Sequence, residues 1–173
     1  MRFNSVAISV TSVVAGDFCI KFRLKSKADG FLWSLVVAYG AAQDARKPNF
    51  LTELVCICDN EELPMLVGGD FNIIRTHEEK NNSNYARWTF IFNAIIESLD
   101  LKELELSGKQ YTWVSRRETP TFEKLDRFLA SIEWELKFPL VSVHALTRSG
   151  FDHMPLIIDS GDEAHLGNKA KFF

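Results

Sequence analysis

Apolar and polar residues alternate through the first third of the chain. Between residues 18 and 25, Phe, Ile and Leu occupy every second position, and Lys or Arg fills most of the positions between them. This period of two is typical of a half-buried β-strand with a mostly basic outer face. Similar runs lie at 6–14 and 31–39, and the hairpin dipeptide Asp29-Gly30 precedes the second of them. The three runs together predict a three-stranded antiparallel meander.

Two later segments change to the helical period of 3.6. Apolar residues within 48–58 fall on one face, and Pro48 lies where the first turn of a helix tolerates proline. Residues 88–99 carry a longer and continuous apolar stripe. Such a stripe is typical of a helix packed on a core rather than of a cofactor site. Between the two predicted helices, Pro64 leads into a short apolar strand.

The β pattern returns after Ser107-Gly108. It predicts strands at 111–114, 125–129, 141–143 and 154–158, a polar turn at 116–121 and a short helix at 131–138. Clusters of strands with inserted amphipathic helices predict an α+β sandwich. We expect one domain over residues 1–160 and a frayed polar tail over 161–173.

The composition indicates a folded protein that is not secreted. Of its 173 residues 46% are hydrophobic, yet no apolar stretch reaches the ~18–20 residues that a membrane span requires. The first residues lack the apolar segment of a signal peptide, and the odd number of cysteines predicts reduced thiols in an intracellular protein. The net charge of −3 argues against a dedicated nucleic-acid-binding module. It is compatible with an enzyme that contacts few phosphates and binds a metal cation.

The most informative motif is the pentapeptide GGDFN at residues 68–72, which directly follows the apolar run 65–67. If the strand continues through it, Asp70 and Asn72 lie on one face and Phe71 faces the core. The two glycines would let another group approach the backbone closely. A carboxylate beside a carboxamide suits general-base chemistry on a phosphate ester. The alternative interpretation is a simple turn, because Gly, Asp and Asn are common turn residues.

Further candidate residues follow the motif. Asp152-His153 lies in a loop before the last strand, where the pair could bind a phosphate, carry a proton or ligate a metal. Asp126 stands in an apolar strand and therefore needs a partner, either a histidine or the neighbouring Arg127 or Lys124. Each of these has a simpler interpretation as a solvated or ion-paired surface group.

Three more groups could contact a substrate. Tyr39 ends a strand just before Gly40, where its hydroxyl could reach a phosphate. Arg116, Arg117 and Lys124 form a local basic cluster that could contact a nucleic-acid backbone. The alternatives are an ordinary tyrosine at the core edge and a solvated loop.

Taken in order, these segments resemble the endonuclease/exonuclease/phosphatase superfamily. The matching segments run from Tyr39-Gly40 through GGDFN at 68–72, YTW at 111–113 and LDRFL at 125–129 to DHMPL at 152–156. More narrowly, they are similar to the endonuclease domain of plant non-LTR (LINE-type) retrotransposon proteins. The resemblance implies a four-layer α/β/β/α sandwich of the DNase type. It also implies hydrolysis of phosphoesters with a divalent metal, usually Mg²⁺, and a DNA partner.

The resemblance also implies roles for single residues. In this scheme Asp70 activates the attacking water, and Asn72 holds the water and the phosphate. His153, oriented by Asp126, binds the scissile phosphate, and Tyr39 donates to it. Asp152 lies at the metal. The remaining groups, Trp113, Arg116, Arg117 and Lys124, would contact the substrate.

Two departures from the family pattern lower the expected activity. The family's first strand carries an Asn, and a metal-binding Glu follows it; this chain matches only the later strands, so we expect the first strands and helix to be missing. Phe151 stands where the family usually has Ser or Thr. We therefore expect an endonuclease of retrotransposon origin that is weakly active or inactive. It would belong beside a reverse transcriptase in a longer polyprotein, and in the nucleus if it acts on chromosomal DNA.

Two alternatives remain open. One is a phosphoesterase that acts on inositol phosphates or sphingomyelin, which the acidic balance of charge favours slightly. The other is a non-catalytic remnant or binding module.

Overall fold

The structure is a computed structural model that describes residues 7–82, 87–147, 152–161 and 170–171. Its larger sheet contains six strands in the order β1-β2-β3-β4-β9-β5. These are β1 (Ile8–Ala15), β2 (Cys19–Ser26), β3 (Leu32–Tyr39), β4 (Met65–Asp70), β5 (Leu101–Glu103) and β9 (Asp126–Ser131).

A smaller sheet has the order β12-β11-β10-β6. Its strands are β6 (Leu106–Ser107), β10 (Ser142–Ala145), β11 (Leu156–Asp159) and β12 (Ala170–Lys171). A separate hairpin joins β7 (Trp113–Val114) to β8 (Phe122–Glu123). The helices are α1 (Lys47–Cys58), α2 (Thr89–Ser98) and α3 (Ile132–Lys137).

Two apolar cores hold these layers together. Phe50, Phe71 and Phe92 belong to the core that α1 and α2 form with the larger sheet. Leu35 and Phe128 belong to the second core, between the two sheets. The α+β sandwich predicted from the sequence is therefore confirmed. None of the helices in the described residues is long and apolar enough to cross a membrane.

The predicted antiparallel meander is also confirmed, since β1 pairs with β2 and β2 with β3. The helix α1 then carries the chain back, so that β4 lies parallel to β3. This crossover aligns Tyr39 with Asp70, and the antiparallel pairing of β4 with β9 aligns Asp70 with Asp126. The ends of three neighbouring strands, β3, β4 and β9, thus lie side by side at one end of the sheet.

The predicted burial of β2 is wrong in part. Ile20 is exposed and Cys19 is buried, although alternation predicted the reverse. The physical reason is that other parts of the protein pack against both faces of β2. Cys19 packs into the helical core, and the Lys21 ammonium lies 3.1 Å from Glu61 instead of facing bulk water.

Some short strands were not predicted. β5, β6 and β8 have only two or three residues each, which is too short for a period to show. Most of the predicted polar tail lies outside the described residues, but within it Ala170 and Lys171 pair with β11.

Candidate active site

The GGDFN motif is a strand end and a turn at once. β4 stops at Asp70, Phe71 is fully buried, and Asn72 adopts a positive φ of 52°. The prediction that an extended strand places Asp70 and Asn72 on one face is therefore wrong. The turn brings them together instead, because the Asn72 backbone N–H donates to Asp70 Oδ1 at 2.9 Å. The Asn72 Nδ2 group donates to Asp70 Oδ2 at 2.8 Å.

The two glycines admit neighbouring protein groups. A Cβ on Gly68 would overlap the Phe128 ring, and one on Gly69 would overlap the backbone oxygen of Ala38. Gly69 also has a φ of +144°, which L-residues rarely adopt. The close approach predicted at these glycines thus serves packing inside the sandwich.

Asp126 has a histidine as its partner. His153 Nδ1 lies 3.0 Å from Asp126 Oδ2, and His153 Nε2 lies 3.8 Å from Asp70 Oδ2. Asp70 and Asp126 come from neighbouring strands of the larger sheet, whereas His153 comes from the loop before β11 of the smaller sheet. The imidazole therefore lies between two carboxylates from the opposite sheet. Phe151, the departure from the family pattern beside this pair, lies outside the described residues.

The surroundings raise the pKa of both the Asp70 carboxyl group and the His153 imidazole. Burial, with a further contribution from the charge of Asp126, raises the pKa of Asp70 to about 6, and the hydrogen bonds from Asn72 oppose this rise. The hydrogen bond to Asp126 raises the pKa of His153. A carboxylate with such a pKa can accept a proton near pH 7, and a cationic imidazole beside it can stabilise a negative charge.

A cavity of about 680 Å³ opens beside these groups. Its polar wall contains Tyr39, Asp70, Asp126, Asp152 and His153. Its apolar wall includes Leu35, Val37, Phe128, Met154 and Leu156. The Tyr39 side chain is exposed, so its hydroxyl is accessible to a ligand. The cavity lining thus combines charged and apolar side chains.

Asn72 serves Asp70 rather than the cavity. Its Nδ2 group donates to Asp70 Oδ2 and, at 2.9 Å, to the Gly40 carbonyl oxygen. Both neighbours are acceptors, so the nitrogen of the carboxamide must face them. Both amide hydrogens are thereby used inside the protein. This differs from the implied role of Asn72 in holding the phosphate.

Of the four predicted substrate contacts, Trp113 and the two arginines differ from Lys124. Trp113 forms an antiparallel bridge with His153, with ring centroids 6.5 Å apart. Arg116 and Arg117 are exposed. A hydrogen bond from its own backbone lowers the pKa of Asp152, and the charges of His153 and Arg116 add to this effect. Trp113 and Arg116 therefore lie near the candidate site.

Lys124 is paired with acidic side chains. Its Nζ lies 2.6 Å from Glu103 Oε1, and its side chain is only 18% exposed. Arg127, which is almost fully buried, pairs with the same Glu103 and with Glu79. The Lys124 ammonium is thus neutralised within an internal ion network, and its contact with a nucleic-acid backbone stays a prediction.

Thr112 supports the site and was not singled out by the sequence. Its side chain is fully buried, and its Oγ1 accepts N–H groups from Leu125 and Asp126, both at 3.0 Å. Its carbonyl accepts the N–H of Met154 at 2.7 Å. One residue thus ties together the two segments that carry Asp126 and His153. The sequence signal was only its position within the YTW segment.

Three groups of the site could hold a metal ion. Asp70, Asp126 and His153 each offer one ligand atom within 4.8 Å of the others. Carboxylate oxygens suit Mg²⁺ or Mn²⁺, whereas an imidazole nitrogen suits a softer ion such as Zn²⁺. The donor set therefore fits a divalent cation, and its two carboxylates are the part that fits Mg²⁺.

Comparison with known proteins gives a consistent result for the fold. No protein-family model and no curated protein sequence matches the chain. The endonuclease domain of TRAS1, a telomere-specific non-LTR retrotransposon, is similar with a TM-score of 0.63 and 15% identity, over 86% of this chain and 68% of that one. The 3′ phosphatase NExo from Neisseria is similar with a TM-score of 0.65 and 16% identity, over 87% and 71%.

Human nocturnin has a similar catalytic domain, with a TM-score of 0.58 and 17% identity over 90% of this chain and 60% of that one. An endonuclease/exonuclease/phosphatase protein from Bacteroides vulgatus matches with a TM-score of 0.58 and 15% identity, over 89% and 66%. Identities this low speak for the fold alone. The chain has the fold of the endonuclease/exonuclease/phosphatase superfamily.

Proposed function

We propose that this chain is a metal-dependent phosphodiester hydrolase of the DNA endonuclease type. The observation that carries the proposal is the contact of His153 with Asp126 at 3.0 Å beside Asp70, at the rim of a cavity in this fold. Asp70 supplies a general base, His153 an imidazole that can carry positive charge, and Asp126 a carboxylate that orients this imidazole.

The proposed reaction assigns one task to each group. Asp70 accepts a proton from water, and the water oxygen attacks the phosphorus. The bond from phosphorus to the leaving oxygen breaks, and that oxygen takes up a proton from solvent. His153 and the exposed Tyr39 stabilise the phosphate, while Asp126 keeps the imidazole oriented.

A divalent cation, Mg²⁺ in this proposal, would neutralise charge on the phosphate. We assign it to the carboxylate of Asp152 on the cavity wall, beside the carboxylates of Asp70 and Asp126, which offer further oxygen ligands. In the described residues no glutamate joins the group around His153. Glu61 is instead paired with Lys21, and Glu79 with Arg127. We therefore propose weak metal binding and slow turnover.

A nicking assay on supercoiled plasmid with Mg²⁺ tests the proposal. We expect slow nicking that is lost in Asp70→Asn and His153→Ala and retained in His144→Ala. His144 is a matched control because it is exposed on β10 and, within the described residues, its ring bonds to Ser142 and not to a carboxylate. Absence of nicking, or nicking that survives Asp70→Asn, would refute the hydrolase. Fast nicking that depends on Asp70 and His153 would refute the slow turnover alone.

The structural neighbours support DNA as the partner. One is an endonuclease domain of a retrotransposon, and another was solved with a product DNA hairpin. We propose by the same reasoning that the chain derives from a retrotransposon protein and functions beside a reverse transcriptase. Its place of action would then be the nucleus, where chromosomal DNA is found.

The apolar wall of the cavity favours a second candidate. Val37, Phe128 and Leu156 would suit a phosphoester that carries an apolar group, such as sphingomyelin. Release of phosphocholine from sphingomyelin vesicles without plasmid nicking would support this candidate over the first. A third candidate, a binding module without catalysis, requires that both substrates stay intact.

A further inference from the structure

Lys47 bonds to the Asn72 turn and is not among the residues that line the cavity. It is the first residue of α1, and its side chain is only 12% exposed. Its Nζ donates to the main-chain oxygen of Asn72 at 2.9 Å and lies 3.4 Å from Asp44 Oδ1. A half-buried ammonium that points at one backbone carbonyl fixes the position of that carbonyl.

The Asn72 turn needs such an anchor. Asn72 is one of two non-glycine residues with positive φ in the described part of the chain. This conformation is less favourable than the extended one for a residue with a Cβ. The same residue also holds both carboxylate oxygens of Asp70, through its backbone N–H and its side chain. Any rotation of the turn would therefore move the carboxylate.

Gly40 and Lys47 bond to different atoms of the turn. The Gly40 carbonyl accepts from Asn72 Nδ2, and the Gly40 N–H donates to the Asp70 carbonyl at 2.6 Å. Among the contacts of the described residues, only the Lys47 ammonium bonds to the Asn72 carbonyl. Lys47 is thus the side-chain contact that completes the turn.

We propose that Lys47 is a positioning residue for the water-activating carboxylate. Its ammonium holds the Asn72 carbonyl, Asn72 holds Asp70, and Asp70 faces His153 at the cavity rim. Lys47 does not line the cavity, so it acts on turnover and not on substrate affinity. The catalytic part of this inference rests on the proposed hydrolase, whereas the control of the turn does not.

Matched lysine variants separate this role from general stabilisation. Lys47→Met keeps an unbranched side chain of similar length and removes the ammonium, and Lys47→Arg restores a donor. Lys21→Met is the control, because Lys21 also donates to a main-chain oxygen, that of Ile57 at 3.0 Å, and is 14% exposed. Lys47→Gln provides a milder change if Lys47→Met does not fold.

The first measurement is the NMR spectrum of the Asn72 amides. We expect Lys47→Met, or Lys47→Gln, to shift the backbone and side-chain amide signals of Asn72 and to speed exchange of its backbone amide. Lys47→Arg should return them toward the original positions, and Lys21→Met should leave them unchanged. Unchanged Asn72 signals in a folded Lys47 variant would overturn the inference, whether or not the protein hydrolyses DNA.

The second measurement is steady-state kinetics. A displaced catalytic group can lower turnover by about 100-fold, so we expect kcat to fall toward that extent in Lys47→Met while KM stays constant. A rise in KM at constant kcat would show contact with substrate and overturn the positioning role. If the original protein hydrolyses nothing, the proposed function fails, while shifted Asn72 signals still support control of the turn.

Discussion

The replacement of Thr112 by Val tests how the site is held together. The side chain is fully buried, and its Oγ1 accepts the N–H groups of Leu125 and Asp126. Valine has nearly the same shape but presents a methyl group to both donors. One buried and one partly buried N–H group then lose their acceptor, next to the carboxylate that contacts His153.

The size of the effect follows from these two bonds. A buried donor left without an acceptor costs about 1–3 kcal/mol, which gives about 2–6 kcal/mol for two. The added methyl group offsets about 1 kcal/mol through burial. We therefore expect the free energy of unfolding of Thr112→Val to fall by about 3 kcal/mol, with a range of about 1–5 kcal/mol.

Urea unfolding followed by tryptophan fluorescence measures this change. Thr11→Val is the control, because Thr11 lies on an exposed strand and its hydroxyl donates to the Arg23 carbonyl at 3.0 Å. A surface change of this kind should stay within about 0.5 kcal/mol. If the free energy of unfolding falls no further in Thr112→Val than in Thr11→Val, and its slope against urea concentration is the same in both, the role assigned to Thr112 is refuted.

Three further predictions concern charge and backbone. Burial alone would raise the pKa of Glu103, but the cations packed against this carboxylate lower it to about 2. The ionised Glu103 therefore stabilises the fold above about pH 4.5, and this stabilisation is lost as the pH falls toward 2. This pKa shift corresponds to ~3 kcal/mol of the free energy of unfolding, of which about 2 kcal/mol should be lost by pH 3 in urea unfolding. Glu103→Gln should not show this part of the pH dependence. Gly69→Ala should lower the melting temperature clearly, because its φ of +144° strains any L-residue and the new Cβ would overlap backbone; an unchanged temperature would contradict this backbone conformation. Asp126→Asn should lower the pKa of His153 in an imidazole NMR titration, because the hydrogen bond to the Asp126 carboxylate is the largest cause that raises it; an unchanged pKa would contradict this pairing.

The sequence predicted much of the site because its chemistry is local or complementary. An aspartate in an apolar strand needs a partner, and of the partners considered for Asp126 a histidine is the one found. The turn at Asn72 could not be predicted, because the apolar Phe71 continues the alternation of the strand past the point where the strand ends. Whether a strand stops there depends on contacts with Gly40 and Lys47, which are distant in sequence.

The internal ion network escaped prediction for a related reason. Lys124 was predicted to be a surface cation, yet it and Arg127 pair with Glu79 and Glu103, which lie more than twenty residues away along the chain. Only the folded arrangement of strands brings these four charges together. The faces of β2 were misassigned for the same cause, because a strand between a helical layer and a second sheet has no single solvent face.

The contact of His153 with Asp126 joins one sheet to the other, since the aspartate begins β9 and the histidine precedes β11. The geometry of the candidate site therefore depends on the distance between the two sheets. A displacement of about 1 Å between the layers would separate the pair while every backbone ladder stayed intact. Mild heat or denaturant should thus abolish the proposed hydrolysis while circular dichroism still reports native secondary structure.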